Sequence, residues 1–341
     1  MLEAMSSVGV LGASGFAGAE ILRLLASHPE FTVTYATGDS AAGELVADVY
    51  PSLAAAYGGL RLGVYDAADA AGLDIVFAAL PNGPAQQIVP DLLPKVGHIL
   101  DLSADFRLKD PALYPAFYGA EHQAPELLEE AVYGLPELYR AEIPGARLVA
   151  VPGCYVTAAA LALAPFVRAG LVAPEAMIVD AASGVSGAGK GKHPLATVDD
   201  DFTAYGLLDH RHRPEMEQVI GGQVLFTPHL VPMARGILAT CYARPTPEGP
   251  SCTQDALTVL GDVYAEEPFV VVSERSPSTK AARGANTAHL SARFDPRTGW
   301  LIVLCAIDNM VKGAAGQAIQ CANLAVGLSE TLGLPLAGLA L

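Results

Sequence analysis

One cysteine in this chain is placed for nucleophilic chemistry, and a pair of histidines is available to serve it. Cys154 lies in Val151-Pro152-Gly153-Cys154-Tyr155-Val156-Thr157-Ala158, between the short apolar run 148–151 and an apolar helical pattern over 157–167. Gly153 permits a sharp turn, and the alanine-rich run beyond it is a strong helix former. A sulfur at a helix N-terminus faces unpaired N–H groups and the positive end of the helix dipole. Both favour the thiolate, which is the nucleophile. The competing reading is a small buried core cysteine, as most lone ones are.

Farther on, His210-Arg211-His212-Arg213-Pro214-Glu215 leads into the helical stretch 216–220, with Pro214 suited to a first turn. Two histidines and a glutamate supply a base and a carboxylate to orient it. No third ligand at a matching spacing turns His-x-His into a metal site. The competing reading here is a solvated basic turn.

These groups need a scaffold, and the chain begins with one. Val8-Gly9-Val10-Leu11-Gly12-Ala13-Ser14-Gly15-Phe16-Ala17-Gly18 reads as strand, glycine loop and helix, and 31–36 as a second strand. The loop Gly12, Ala13, Ser14, Gly15, Phe16, Ala17 is a G-x-x-G-x-x-G variant of the dinucleotide fingerprint. Its backbone can approach a pyrophosphate, whose charge the helix N-terminus then receives. After the second strand come Thr37-Gly38-Asp39-Ser40. Thr37 and Ser40 could bind a 2′-phosphate, whereas Asp39 would repel one, so NAD and NADP both remain open.

The segment 73–83 is a further strand running into Leu80, Pro81 and Asn82. A helix over 84–93 and a strand over 98–103 follow. Alternating apolar strands and helices predict a Rossmann-type, doubly wound parallel sheet, with ligands outside the strands' carboxyl ends, where Asn82 and Ser103 fall. Arg107 follows the last of these ends and could clamp an anion, or pair with Asp105 or Asp110. The Pro-, Tyr-, Glu- and Gly-rich segment 111–143 reads as irregular. Tyr118 and Tyr133 in it line a pocket or cap the core, core packing being favoured.

The second half reads as an α+β domain with a mixed, largely antiparallel sheet. Strands are expected over 176–182, 222–228, 235–244 and 269–273, with a hairpin of 288–294 and 300–307 and a helix over 254–264. The loop 183–193, with Ser183, Gly184, Ser186, Gly187, Ala188, Lys190, Lys192 and His193, lacks P-loop spacing but permits close approach to a ligand. A plain surface connection is the alternative. The final helix, 314–328, is expected to return to the first domain. The domains are therefore 1–150, completed by 312–341, and 151–311. A second subunit covering one face of the large second sheet is expected.

Composition bounds the rest. The 341 residues suggest two domains, and 52% hydrophobic against 16% charged residues gives a large core rather than disorder. A net charge of −16 argues against nucleic acid or anionic membrane as partner, though not against a small anionic substrate in a cationic pocket. Of five unpatterned cysteines, all but Cys154 read as core residues, which suits a reducing cytosol. No apolar run reaches about 18 residues, and 1–7 lacks a basic leader region.

Several separated motifs together resemble N-acetyl-γ-glutamyl-phosphate reductase of arginine biosynthesis, over nearly the full length. They are Gly12-Ala13-Ser14-Gly15, Leu100-Asp101-Leu102-Ser103-Ala104-Asp105-Phe106-Arg107, Val151-Pro152-Gly153-Cys154-Tyr155 and Ser183-Gly184-Val185-Ser186-Gly187-Ala188-Gly189. With them go His210-Arg211-His212, Pro214-Glu215, Pro232-Met233-Ala234-Arg235-Gly236-Ile237 and Asp308-Asn309-Met310-Val311-Lys312-Gly313. The resemblance implies NADPH and a cytoplasmic oligomer, a homodimer or homotetramer, built through the second domain. It implies Cys154 as nucleophile, His210 and Glu215 as base and orienting carboxylate, and His212 as alternative base. The loops named above, with Asn309, would hold the dinucleotide. Ser103, Arg107, Tyr118 and Arg235 would meet the substrate's phosphate and carboxylate ends. Val156 stands where the family has proline. Asp39 stands where it often has serine and a basic residue, which keeps NAD beside NADP. Related reductases of aspartyl phosphate or carrier-linked aminoadipyl phosphate are the nearest alternatives, and Gly-Cys-Tyr favours the acetylglutamyl substrate. A non-catalytic dinucleotide sensor with Cys154 as redox switch is the alternative of another class.

Overall fold

The computed structural model describes residues 5–190 and 198–339. Lys192 and His193 lie outside them. The chain divides into two compact units, Met1–Pro152 with Ala314–Leu334, and Gly153–Gly313 with Pro335–Leu341.

The first unit is built on a six-stranded parallel sheet in the order β2-β1-β3-β4-β6-β5. Its strands are β1 (Ser6–Leu11), β2 (Phe31–Ala36), β3 (Ile75–Ala78), β4 (His98–Asp101), β5 (Val132–Tyr133) and β6 (Leu148–Ala150). Both β3 and β6 are buried at every position, which is why they read as unbroken apolar runs. Helix α1 (Phe16–Leu25) follows β1, and α2 (Pro84–Leu92) follows β3. The order reverses at β1, so β1 and β3 flank a topological switch point, where such sheets take ligands.

The segment 111–143 is not irregular. It forms short helices at Leu113–Tyr118, Leu127–Glu130 and Pro136–Tyr139, and it supplies the edge strand β5. Elements of two to six residues are too short to show a period in sequence. Tyr133 is buried, as the core reading expected. Near the C-terminus, α6 (Gly316–Ala325) packs on β4. His28 ties the C-terminal segment to the unit: its Nε2 lies 3.0 Å from Asn323 Oδ1, and its Nδ1 accepts the Phe31 N–H at 3.1 Å.

The second unit holds a seven-stranded sheet in the order β11-β12-β13-β10-β7-β9-β8. The strands are β7 (Met177–Ser183), β8 (Thr203–Ala204), β9 (Val224–Leu230), β10 (Ile237–Ala243), β11 (Val270–Val272), β12 (Ala288–Asp295) and β13 (Trp300–Ile307). Pairs β7–β9 and β11–β12 are parallel and the others antiparallel. Strand β9 runs on through His229 and Leu230, which the sequence assigned to a connection, because Pro228 and His229 keep register with Ala181 and Ala182. Helix α3 (Cys154–Arg168) is buried along its whole middle, and its run of alanines lets it lie close on the sheet. Helices α4 (His212–Ile220) and α5 (Thr253–Val263) complete the unit's longer helices.

On the other face of this sheet, Leu225, Ile178, Tyr242 and Ile302 form a row across β9, β7, β10 and β13, none of them fully buried. Cys252 is exposed rather than core: it caps α5, its Sγ accepting the Asp255 N–H. A cap position outside the helical period gave no sign of this in sequence. Cys241, Cys305 and Cys321 are buried. Among the described residues no helix is long and apolar enough to cross a membrane.

Candidate active site

Cys154 is the first residue of α3 and is half-buried. Gly153 precedes it in extended conformation (φ −67°, ψ 143°), which any residue adopts, so the demand for glycine is spatial. A Cβ there would stand 2.6 Å from His212 Nε2 and 2.9 Å from Cδ2 and Cε1. The imidazole thus occupies the space a side chain would have taken. The Gly153 N–H donates to Glu215 Oε1 at 2.9 Å, and its carbonyl accepts the Thr157 N–H at 2.9 Å. His212 and Glu215 share the first turn of α4, so that turn reaches the cysteine's neighbour twice.

His210 sits among aromatic rings: Tyr155, Tyr205 and Phe226 lie at centroid distances of 5.8, 5.6 and 5.2 Å. Burial lowers its pKa to about 4, helped by Arg211 and opposed by Asp209. Its Nδ1 accepts the His212 N–H at 3.2 Å, which leaves the proton of the neutral ring on Nε2. The Tyr155 hydroxyl meets that of Tyr205 at 3.1 Å, and burial pushes Tyr155 far above the usual phenol range.

A second cluster in the same unit joins the loop after β7 to the loops around β10 and β13. Asn309 Nδ2 donates to Ser186 Oγ at 2.9 Å, and its Oδ1 accepts the Gly236 N–H at 2.7 Å. A Cβ on Gly187 would touch Ser183 Oγ and Asn309 Nδ2, and one on Gly184 would strike the backbone at Met233 to Arg235. Ser183, Gly184, Ser186, Gly187 and Asn309 are therefore one close-packed loop cluster, with Ala188 ending the turn Val185–Ala188. Arg235 Nε lies 3.5 Å from Asp308 Oδ1.

In the first unit, Gly12 has φ +77°, and the Ala79 carbonyl would collide with any side chain there. Its N–H donates to Thr37 Oγ1 at 3.2 Å, while Ser14 Oγ donates to the Gly38 carbonyl. No side chain caps the α1 N-terminus at Gly15. An uncapped helix start behind a turn with glycine at both ends, at the switch point of a parallel sheet, fits a dinucleotide pyrophosphate. Leu80, Pro81 and Asn82 follow β3 across that switch point, and Asn82 Oδ1 accepts the Ala104 N–H. Asp39 and Ser40 are exposed, with Asp39 at φ +35°.

The proposed substrate residues of this unit are more enclosed. Ser103 Oγ donates to Asp101 Oδ2 at 2.8 Å, and burial raises that carboxyl to about 7. Arg107 Nε and Nη2 donate to the carbonyls of Val151 and Leu102. Tyr118 packs its ring on Tyr114. Sequence reasoning passed over Tyr205, and named Asp308 and Gly313 only inside a motif, with no role of their own. Asp308 carried a signal, an aspartate followed by asparagine at a strand end, where side chains bond to the next backbone N–H groups.

Two family models match the chain: the semialdehyde dehydrogenase NAD binding domain over residues 7–146 and the semialdehyde dehydrogenase dimerisation domain over 154–309. An N-acetyl-gamma-glutamyl-phosphate reductase of Symbiobacterium thermophilum is 47% identical, covering 97% of this chain and 98% of the relative. The enzyme of that name from Rhodospirillum rubrum is 49% identical over 96% and 97%. Among solved structures, aspartate semialdehyde dehydrogenase II of Vibrio cholerae shares the fold at a TM-score of 0.68 and 17% identity, over 94% of this chain and 98% of that one. With near-complete coverage at this identity, the chain belongs to the N-acetyl-gamma-glutamyl-phosphate reductase family, built on the semialdehyde dehydrogenase fold.

Proposed function

We propose that this chain reduces N-acetyl-γ-glutamyl phosphate to N-acetylglutamate 5-semialdehyde and phosphate, with NADPH as reductant, through a thioester on Cys154. The observation that carries this reading is a thiol at the start of a buried helix with an imidazole seated on the preceding glycine. Simple hydride transfer to an alcohol would need no thiol.

His212 takes the Cys154 proton, and the thiolate attacks the acyl carbon. The carbon–oxygen bond to phosphate breaks, and phosphate leaves with the bonding pair. The N–H groups at the start of α3 stabilise the oxyanion that develops. When bound, the dinucleotide supplies the hydride that reduces the thioester. As the carbon–sulfur bond then breaks, the sulfur takes the bonding pair and the proton held on His212, which frees the aldehyde and the thiol.

The two histidines divide the work. His210 holds the His212 backbone N–H on its Nδ1, and His212, whose ring is seated on Gly153, carries the proton in place of the expected His210. Glu215 secures the turn through the Gly153 N–H. Arg235 takes the substrate's anionic end. Arg107 acts from farther off, by fixing Val151, three residues before Cys154 in the chain. Ser14, Thr37, Asn82, Ser186 and Asn309 line the loops assigned to the dinucleotide.

A cytoplasmic homo-oligomer joined through the second unit completes the reading. The apolar row Leu225, Ile178, Tyr242 and Ile302 supports it, as does the name of the matched dimerisation model. The decisive assay is oxidation of N-acetylglutamate semialdehyde, run with NADP and NAD and with and without phosphate. Phosphate-dependent NADP reduction, abolished in Cys154→Ser with cofactor binding nearly intact, is expected. Turnover that needs no phosphate, or full activity in the serine variant, would overturn the covalent route.

A further inference from the structure

We infer that Asp308 is a positioning residue for this reaction: it sets Arg235 for the anionic end of the acyl phosphate and seats the turn that backs Cys154. The inference rests on the reading of Arg235 given above. Asp308 is the first residue after β13, and it has no solvent exposure. Its Oδ1 accepts the N–H groups of Met310 at 2.8 Å and Val311 at 3.1 Å, and its Oδ2 accepts that of Gly284 at 2.7 Å. Arg235 Nε stands 3.5 Å from Oδ1.

The main chain of Asp308 works on the other side. Its carbonyl accepts the Gly313 N–H at 2.9 Å. Gly313 lies flat on the nucleophile: a Cβ there would come within 2.7 Å of Cys154 Cβ and 3.3 Å of its Cα. Asp308 thus terminates two paths, one to the guanidinium and one to the backbone packed on the Cys154 Cα and Cβ. The next residue adds a third hold, since Asn309 Oδ1 accepts the Gly236 N–H immediately after Arg235. Side chain and following backbone of Arg235 are both gripped by one dipeptide.

The turn alone does not account for a carboxylate. An asparagine oxygen would serve Met310 and Val311 equally well, as it does in many such turns, although its amide group would then face the Gly284 N–H that Oδ2 now accepts. A fully buried negative charge is costly unless a cation offsets it. The charge has its use opposite Arg235, and there it fixes a long, rotatable side chain that would otherwise lose entropy on gripping substrate.

Three variants test this: Asp308→Asn, Arg235→Gln and the double substitution, each assayed for kcat, KM for the acyl phosphate, KM for the dinucleotide and thermal midpoint. Asp308→Asn should raise the acyl-phosphate KM about tenfold, in the range of one charge-assisted hydrogen bond. The dinucleotide KM should hold, and the change should add nothing in the Arg235→Gln background. A KM rise of the same size in both backgrounds, or a loss of kcat and thermal midpoint with KM unchanged, would overturn it. If Arg235→Gln itself leaves the acyl-phosphate KM alone, the reading of Arg235 is what fails, and the inference falls with it. Should the Asp308→Asn chain melt before assay, Arg235→Lys answers from the other side. A KM as high as that of Arg235→Gln supports the fork held by Asp308, and a KM near that of the native enzyme overturns it.

Discussion

Replacing Gly153 with alanine should slow the reaction about a hundredfold without replacing any reacting group. The backbone at Gly153 suits alanine, so no conformational strain enters. The added methyl lands 2.6 Å from His212 Nε2, and ordinary contact begins at 3.4 Å. The ring must therefore retreat by about 0.8 Å, a displacement that costs a proton-transfer step on the order of a hundredfold, or about 2.7 kcal/mol in the barrier. Folding should suffer less. Overpacking costs about 1–3 kcal/mol, partly offset by the stiffer unfolded chain that alanine gives.

Single-turnover phosphate release reports acylation, nicotinamide absorbance reports reduction, and fluorescence titration reports dinucleotide binding. Both rates should fall while binding holds. The same substitution made in a His212→Ala chain separates two causes. With the ring gone, the methyl has room, and Gly153→Ala should cost nothing further. If it slows the His212→Ala enzyme by the same factor, the methyl acts on Cys154 directly and the placing of His212 is wrong. Native rates in Gly153→Ala would refute the whole contact.

Other substitutions divide the site's remaining parts. His210 has its folded pKa near 4, below the ordinary value of 6.5, so the stability its neutral form supports is complete above about pH 6.5 and is lost as pH falls from there toward 4. His210→Asn should flatten that acid limb of the melting temperature and leave the shape of the pH–rate profile unchanged; a changed profile shape would make His210 a proton carrier. Glu215→Ala orphans the buried Gly153 N–H and should cost about 1–3 kcal/mol in urea unfolding, whereas Glu215→Gln keeps an oxygen there and should cost less than half of that. Equal losses in the two would show that the charge, not the acceptor, matters. Asp39→Ser removes an exposed carboxylate from the loop after β2, and should tighten NADPH about tenfold relative to NADH in a binding titration; an unchanged ratio would place the 2′-phosphate elsewhere.

The strongest sequence signals were those with a repeating period or a sharp break. Strands β3 and β6 of the first unit show as solid apolar runs, the hairpin of β12 and β13 as an alternating run and an apolar run about a turn, and the Cys154 helix as alanines behind a glycine. The edge strand β5 was invisible because a two-residue Val132–Tyr133 pair is shorter than any period. Cys252 was misread because a cap residue sits just outside the pattern it completes. At the site, the sequence brought forward Cys154, His210, His212 and Glu215 as types of group. It held no sign that Gly153 was left empty for an imidazole, since that depends on α4 meeting α3 across about 60 residues of chain. The contacts of Asp308 stayed hidden for the same reason: its partners Gly284 and Arg235 are distant in sequence and meet only when β10, β12 and β13 are in register.

The proposed reaction places its nucleophile at the start of a buried helix. A thiolate must hold an acyl group still through two chemical steps, and groups carried on regular elements are placed more closely than groups on loops. Helix α3 is fixed by close-packed alanines that leave it no freedom to slide. Around its first residue the side chains have been removed: Gly153 on one side gives its space to His212, and Gly313 on the other lays bare backbone against Cys154. Each glycine is pinned by an acidic residue, Gly153 through the Glu215 carboxylate and Gly313 through the Asp308 carbonyl. Flexibility is the ordinary cost of glycine, and these two hydrogen bonds remove it where it would blur the sulfur's position. Cys154 thus starts its helix between two close-packed glycines, Gly153 before it and Gly313 against its Cα and Cβ.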